Sequence, residues 1–240
     1  MAERAALVTG GSSGIGLATA RALAEDRYGV TVSARRPEKL EAAVEGLQAD
    51  GLDVHSLGAN VANEEEIVRM IAAHRKRFGR LDVLVNNAGV GIGQTVGEVV
   101  TKHLDMQLGV NLRAAIIATR EATPLLREAG AEHGKALIVN TASIAGKSGE
   151  GWLSVYSATK AGLVGFSQAT QKELGGDGIQ VTALCPAFVD TAMTEWAREH
   201  VDPQEMIRAE DIAEAVRFLL RTSRWCLVPE IVFTRHGQEL

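Results

Sequence analysis

Apolar positions along the chain alternate between short continuous runs and helical stripes. Ala5–Thr9 is a short apolar run that reads as a buried first strand. A helical pattern through Leu17, Ala20, Leu23 and Ala24 follows it. Val30–Ala34 is a second run, and Leu40, Ala43, Val44 and Leu47 then recur at i, i+3, i+4 and i+7, the spacing of one helix face. The same alternation continues with a strand over Leu52–Leu57, a helix marked by Ile67, Met70, Ile71, His74 and Phe78, and a strand over Leu81–Val85. A long helix is predicted from about His103 to Arg127, then a strand over Ala136–Thr141 and a helix over 152–174. Strand Ile179–Leu184, helix Ala209–Leu220 and strand Val228–Phe233 complete the series. Strict strand–helix alternation predicts an α/β protein whose seven-stranded parallel sheet is doubly wound, right-handed and covered by helices on both faces.

No internal repeat, low-complexity segment or linker interrupts this pattern, so residues 1–240 read as a single domain. The best loop candidates are Gly91–Glu98 and Thr191–Pro203, and residues 191–208 form a short substrate-loop region. The length suffices for one large core. Aromatics are few while glycine abounds, which suits close packing of helices on a sheet. A formal net charge of −5 argues against a nucleic-acid surface. No apolar run approaches the ~20 residues needed to cross a bilayer, and Met1-Ala2-Glu3-Arg4 lacks a signal-peptide core. With only Cys185 and Cys226, no disulfide framework is indicated, and the expectation is a soluble cytoplasmic protein.

The turn after the first run carries the first chemistry: Thr9-Gly10-Gly11-Ser12-Ser13-Gly14-Ile15-Gly16. A glycine turn between a strand and a helix lets the backbone approach a pyrophosphate, and the helix N-terminus offers unpaired N–H groups to the phosphates. The spacing Gly-x-x-x-Gly-x-Gly differs from the commoner Gly-x-Gly-x-x-Gly, and no Gly-Lys-Ser/Thr follows it. A flexible glycine loop is the bland alternative. The second feature is Tyr156 and Lys160, four residues apart on one expected helix face. A cation ~4 Å from the phenol at an effective dielectric of ~20 is worth about 4 kcal/mol, or roughly three pKa units. That would bring the tyrosine into range as an acid and base near neutral pH. Ser143 stands thirteen positions upstream, at the end of the fifth strand, where its hydroxyl could hold a carbonyl oxygen against the phenol.

Thr9–Gly16, Asn86-Asn87-Ala88-Gly89, Asn111, Ser143, Tyr156, Lys160 and Pro186 together resemble the short-chain dehydrogenase/reductase family, from about residue 5 to about residue 192. The resemblance implies a Rossmann-type fold and a catalytic set of Asn111, Ser143, Tyr156 and Lys160. In that set Lys160 also bonds the nicotinamide ribose, and Asn111 supports a water leading to the lysine. A helix-kinking structural role for Asn111 is the alternative. It implies a cofactor cradle of Gly10, Ser12, Ser13, Gly14, Ile15 and Gly16. Asn60 and Val61 flank the adenine, Asn87, Ala88 and Gly89 pass the adenosine ribose, and Pro186, Val189 and Thr191 approach the nicotinamide. Ala187 replaces the glycine usual after that proline. At the end of the second strand Ala34 stands where NAD-binding members carry an acid, and Arg35 could pair bidentately with a 2′-phosphate, with Arg36 beside it. The cofactor is therefore expected to be NADP(H) rather than NAD(H). If both arginines are solvated charges opening a helix, NAD could also bind.

The expected activity is hydride transfer between NADP(H) and a carbonyl or alcohol, with Tyr156 as general acid and base. A non-catalytic NADP(H)-binding sensor and an NAD-dependent dehydrogenase of the same fold are the rivals. An epimerase or dehydratase is a further one, although those relatives usually carry longer C-terminal domains. The intact Ser143–Tyr156–Lys160 set argues against the sensor. Val90, Ile92, Ile144, Trp152, Phe188, Met193 and Trp196 could line an apolar substrate cleft, or simply pack. The helices Met106–Leu126 and Trp152–Leu174 carry more apolar and small residues than one sheet face needs, and family members commonly pair them in a homodimer or homotetramer. The six histidines show no metal-ligand spacing. Cys185 reads as a buried small hydrophobe, Cys226 has no assigned role, and Glu64-Glu65-Glu66 reads as a helix N-terminus after Asn63.

Overall fold

A computed structural model describes residues 3–199 and 201–236. Met1, Ala2, His200 within the expected 191–208 region, and the tail 237–240 lie outside the described residues. Strands β1 (Ala5–Thr9), β2 (Gly29–Ala34), β3 (Val54–Gly58), β4 (Val83–Asn86), β5 (Ala136–Thr141), β6 (Ile179–Pro186) and β7 (Glu230–Phe233) form one parallel sheet in the order β3-β2-β1-β4-β5-β6-β7. Helices α1 (Gly14–Glu25), α2 (Pro37–Ala49), α3 (Glu64–Phe78), α4 (Thr101–Leu108), α5 (Ala114–His133), α6 (Ser154–Leu174) and α7 (Ala209–Arg221) connect them. The doubly wound Rossmann architecture expected from the alternation is the one observed. Among the described residues no helix is long and apolar enough to cross a membrane.

The period of two along the strands divides the core. Ala6 and Val8 of β1 face the layer containing Leu23 of α1, Val44 of α2 and Val216 of α7. Leu7 faces the opposite layer with Ile67 of α3 and Leu126 of α5. The order of the strands reverses between β1 and β4, so the connections leaving their carboxyl ends run to opposite faces and open a crevice between them. Side-chain amides brace that crevice. Asn86 Nδ2 donates to Asn140 Oδ1 at 2.9 Å, and Asn140 Nδ2 donates to Ser167 Oγ at 2.8 Å, linking β4, β5 and α6. At the end of β1, Thr9 Oγ1 accepts the Asn87 and Ala88 N–H groups at 3.0 and 3.1 Å.

The largest departure from the sequence pattern is the expected long helix over His103–Arg127. It is interrupted at Gly109–Arg113 by a wider turn in which the Ala114 N–H reaches back five residues to the Gly109 carbonyl. Asn111, at the middle of that turn, spends its amide on the main chain of Val90. Other limits shift for local reasons. β3 begins at Val54, because Leu52 still bonds back to Leu47 and Gly51 turns the chain at φ +80°. β4 begins at Val83, just after Asp82, which is bonded to β1 twice: its N–H donates to the Ala5 carbonyl and its carboxylate accepts the Ala5 N–H, both at 2.8 Å. β6 runs on to Pro186 because Cys185 and Pro186 pair with Val232 and Phe233, while β7 starts only at Glu230, after Pro229, which has no N–H to give. β5 stops at Thr141, so Ser143 lies two residues beyond the strand and caps a short turn over Ile144–Gly146. α6 starts at Ser154 rather than 152, because Trp152 adopts a left-handed backbone. Asn63 caps α3 as expected, its side chain accepting the Glu65 N–H at 2.9 Å.

Candidate active site

A cavity of about 310 Å³ follows the crevice from the β1 turn past the end of β5 to the segment after β6. Its first wall is the glycine turn, with Gly10, Ser12, Ser13, Gly14 and Ile15. Gly10 holds φ +68°, and a Cβ there would sit 2.7 Å from the Ala88 Cα, so only glycine lets the two loops meet. Asn87 Nδ2 secures the same junction by donating to the Thr9 and Gly10 carbonyls at 3.1 and 3.2 Å. Gly16, behind this turn, is buried against Asn87 and does not line the cavity. At the N-terminus of α1 no side chain caps the helix and no acid stands in the first turn, which leaves its N–H groups and positive end for an anion. These features fit a dinucleotide pyrophosphate.

Beyond that turn the cavity is lined by Ala34, Arg35 and Arg36 at the end of β2, by Asn60 and Val61 after β3, and by Asn87, Ala88 and Gly89 after β4. Arg36 occupies the N-cap position of α2 with an extended backbone, followed by Pro37. Asn60 Oδ1 already accepts the Ala62 N–H at 3.2 Å and its main-chain N–H donates to Glu66, so its side-chain amino group is the part left to face a ligand. Pro186, Ala187, Val189 and Thr191 form the opposite end of the cavity. Thr191 comes to the glycine turn, where a Cβ on Gly14 would meet its methyl at 2.8 Å.

Ser143, Tyr156 and Lys160 converge on the middle of this cavity, and Asn111 stands just behind it in a small adjoining space. Burial pushes the Tyr156 phenol above its ordinary range, and a hydrogen bond with Ser143 works in the opposite direction. The sequence argument, a phenol lowered by a lysine ~4 Å away, is corrected here. Lys160 Nζ stands 5.6 Å from the ring centroid and donates to the Thr141 carbonyl at 2.7 Å, and burial, not the lysine charge, sets the direction for the phenol. Burial without a carboxylate partner also lowers Lys160 to about 8. Ser143 Oγ accepts the Ala145 N–H at 3.2 Å, which orients the hydroxyl toward the cavity.

Asn111 is nearly fully buried, and both of its amide hydrogens are used. Its Oδ1 accepts the Val90 N–H at 2.8 Å, while Nδ2 donates to the Val90 carbonyl at 2.9 Å and to Thr159 Oγ1 at 3.1 Å. Thr159 in turn donates to the Tyr156 carbonyl at 2.7 Å. Gln107, one turn earlier, accepts the Ile92 N–H at 3.1 Å. The wide turn and its two buried amides therefore fasten the loop after β4 to the first turn of the tyrosine helix. Thr141, Thr159, Gln107 and the Val90 main chain were not singled out from sequence. The signal for Gln107 and Asn111 was there, two polar residues spaced i, i+4 in an apolar helix, but their acceptors are main-chain groups that no pattern reveals. Of the seven apolar cleft candidates, Val90 and Met193 line the cavity, Ile92 is half-buried outside it, Ile144 is buried, and Trp196 meets Trp152 and Phe188 edge to face. Cys185 is buried, and burial pushes its thiol up to about 11. Cys226 is exposed.

A nucleotide crevice with a hydroxyl, a phenol and an ammonium at its centre defines a nicotinamide-dependent oxidoreductase of the doubly wound class. The chain belongs to the short chain dehydrogenase family, whose model matches residues 4–202. It is 36% identical over 227 residues to the 3-oxoacyl-[acyl-carrier-protein] reductase FabG of Staphylococcus aureus, covering 90% of each chain. Among solved structures it is similar to a variant of actinorhodin polyketide ketoreductase with NADPH, at 33% identity, TM-score 0.87 and 97% coverage of both chains. It is also similar to an alcohol dehydrogenase of the archaeon Thermococcus sibiricus complexed with 5-hydroxy-NADP, at 28% identity and TM-score 0.87, covering 99% of this chain and 98% of that one. Its activity is hydride transfer between a nicotinamide dinucleotide and a carbonyl or alcohol.

Proposed function

We propose that the chain is an NADP(H)-dependent carbonyl reductase in which Ser143, Tyr156, Lys160 and Asn111 perform the proton chemistry. The observation that carries this reading is the convergence of Ser143, Tyr156 and Lys160 on the cavity that also holds the glycine turn and Arg35. When bound, the reduced nicotinamide supplies the hydride. Ser143 holds the carbonyl oxygen, and Tyr156, whose raised phenol is protonated at neutral pH, donates the proton to it. Lys160, charged below about pH 8, stabilises the phenolate left behind and orients the nicotinamide ribose. Asn111 fixes the loop after β4 and the start of α6 in the geometry these transfers need, and supports a water path to the lysine. Alcohol oxidation uses the same groups in reverse.

NADP(H) is favoured over NAD(H) because Ala34 leaves the end of β2 without a carboxylate while Arg35 and Arg36 line the cavity there. The solved relatives with NADPH and with an NADP derivative support the same choice. Gly10, Ser12, Ser13, Gly14 and Ile15 hold the pyrophosphate, with Gly16 packing α1 against the loop. Asn60 and Val61 flank the adenine, Asn87, Ala88 and Gly89 the adenosine ribose, and Pro186, Val189 and Thr191 the nicotinamide. Residues 191–208 form the substrate loop of a single-domain protein that works in the cytoplasm. A homodimer or homotetramer paired through the segments Met106–Leu126 and Trp152–Leu174 is part of the reading, supported by the outward Leu108 of α4 and Ile116 of α5, which are 41% and 40% exposed. NADPH oxidation followed across a panel of ketones and aldehydes tests the reading. Cofactor binding without turnover of any of them would favour the sensor instead.

A further inference from the structure

Three segments that are distant in sequence meet at one indole beside the reacting phenol. The loop after β4 lies against two rings in succession. A Cβ at Gly91 would stand 3.7 Å from the Tyr156 ring, whereas a Cβ at Gly93 would fall inside the contact distance of the Trp152 indole. These two glycines are two residues apart, at most ~7 Å along the chain. Trp152 adopts φ +66°, a costly conformation for a bulky residue, and the Gln94 N–H holds it there by donating to the Trp152 carbonyl at 2.7 Å. Trp152 then meets Trp196, in the turn Glu195–Glu199 of the 191–208 region, edge to face with centroids 5.8 Å apart. Trp196 meets Phe188 in the same way, also at 5.8 Å.

This cluster is not core. Trp152 and Trp196 remain 52% and 48% exposed, so about half of each residue stays open beside the strained, hydrogen-bonded Trp152 backbone. Backbone strain persists where surrounding contacts over-determine it, and it marks places where a side chain is aimed rather than merely packed. We propose that Trp152 and Trp196 form an aryl clasp that selects carbonyl substrates bearing a planar aromatic group beside the C=O. The inference rests on the carbonyl-reductase reading above. With the carbonyl at Ser143 and Tyr156, a ring on the carbonyl carbon extends along the Gly91–Gly93 step toward the two indoles. An aromatic ring gains an edge-to-face or offset-stacked contact there, worth roughly two- to tenfold in affinity beyond its buried area, whereas an alkyl chain gains only the area.

The test is calorimetric titration of the full-length chain, saturated with NADP⁺, with acetophenone and with 2-octanone, which have equal carbon counts. The wild type is expected to bind acetophenone more tightly by roughly two- to tenfold. Trp152→Gly removes the ring while accepting the left-handed backbone, so it folds and retains its affinity for NADP⁺ but binds the two ketones alike. Gly93→Ala, which displaces the indole, moves the preference in the same direction, and Trp152→Phe restores part of it. Equal affinities in the wild type, no binding of either ketone, or a preference that survives Trp152→Gly would overturn the clasp. The titration needs no turnover. Ketone reduction without aryl preference would sink the clasp alone, while aryl binding through Trp152 with no reduction of any carbonyl would sink the reductase reading alone.

Discussion

The two walls of the crevice are built on different principles. On the cofactor side, glycine and short polar side chains hold main chain close to main chain. The glycine turn touches Ala88, and Thr9 and Asn87 lock the two loops with four hydrogen bonds at 3.0–3.2 Å. Phosphates and riboses are common to every reaction of such a cofactor, so a rigid backbone cradle suffices. On the side proposed for the substrate, the segment before α6 and the loop after β6 meet through large side chains, with Trp152, Trp196 and Phe188 at the junction. That wall can be rebuilt by changing single side chains without disturbing the sheet. Residues that define the reaction therefore sit between a fixed half and a variable half.

The sharpest way to break this division is at the centre. Tyr156→Phe should retain NADPH affinity on the cofactor side and lower turnover by orders of magnitude, because only the proton donor is removed. Steady-state kinetics with a parallel NADPH titration checks both halves at once, and turnover near the wild-type rate would refute the tyrosine mechanism. The next largest effect lies wholly on the cofactor side. Arg35→Ala should weaken NADPH by roughly ten- to a hundredfold, the worth of a charge-assisted bond, and leave NADH nearly unchanged. Equal weakening of both cofactors would show that Arg35 is a solvated charge and that Ala34 does not select for the phosphate.

The same division explains what the sequence disclosed. The glycine turn, Ser143 and the Tyr156–Lys160 pair are legible because chemistry fixes residue type and spacing within a few positions. The sheet is legible because runs and stripes alternate strictly. The interruption at Gly109–Arg113 is not, since its cause is a pairing between Asn111 and main chain twenty-one residues earlier. Nor is the charge geometry legible. Helical spacing places Lys160 one turn from Tyr156, but the Thr141 carbonyl captures its ammonium, and burial rather than the lysine then sets the direction for the phenol. Trp152 looked like one more apolar residue, because neither its left-handed backbone nor its partner Trp196 leaves a local trace.

The pH profile sharpens the role of the captured lysine. Burial lowers Lys160 to about 8, well below an unfolded lysine, so its charged form is fully present only below that pH. For stability the sign is unfavourable at neutral pH: burying the charge costs stability below about 8, and that cost fades as pH rises toward the unfolded value. For carbonyl reduction the charged form is the active one. The phenol, shifted upward, keeps its proton beyond this range. The kcat/KM for reduction should therefore be level near neutrality and fall by about tenfold per pH unit above about 8. Lys160→Arg, which stays charged, should remove that limb at whatever reduced rate it retains. A wild-type profile flat to pH 10 would mean that the lysine charge is not used.

The smallest expected effect concerns the strut joining the two walls. Thr159 is fully buried, donates to the Tyr156 carbonyl and accepts from Asn111. Thr159→Val keeps the shape but removes both bonds. One of the two Asn111 amide hydrogens loses its partner, while the Val90 carbonyl still engages the other. A buried donor left unsatisfied costs about 1–3 kcal/mol, and for a domain of this size each kcal/mol lowers Tm by roughly 2–4 °C. Because Val90 still holds Asn111, the loop after β4 should stay in register, and turnover should fall only a few-fold with cofactor affinity unchanged. Thermal denaturation and kinetics on the same preparation separate the two effects. A loss of turnover as deep as that of Tyr156→Phe would show that the hydroxyl takes part in proton transfer, whereas an unchanged Tm would show that the strut carries no tension between the walls.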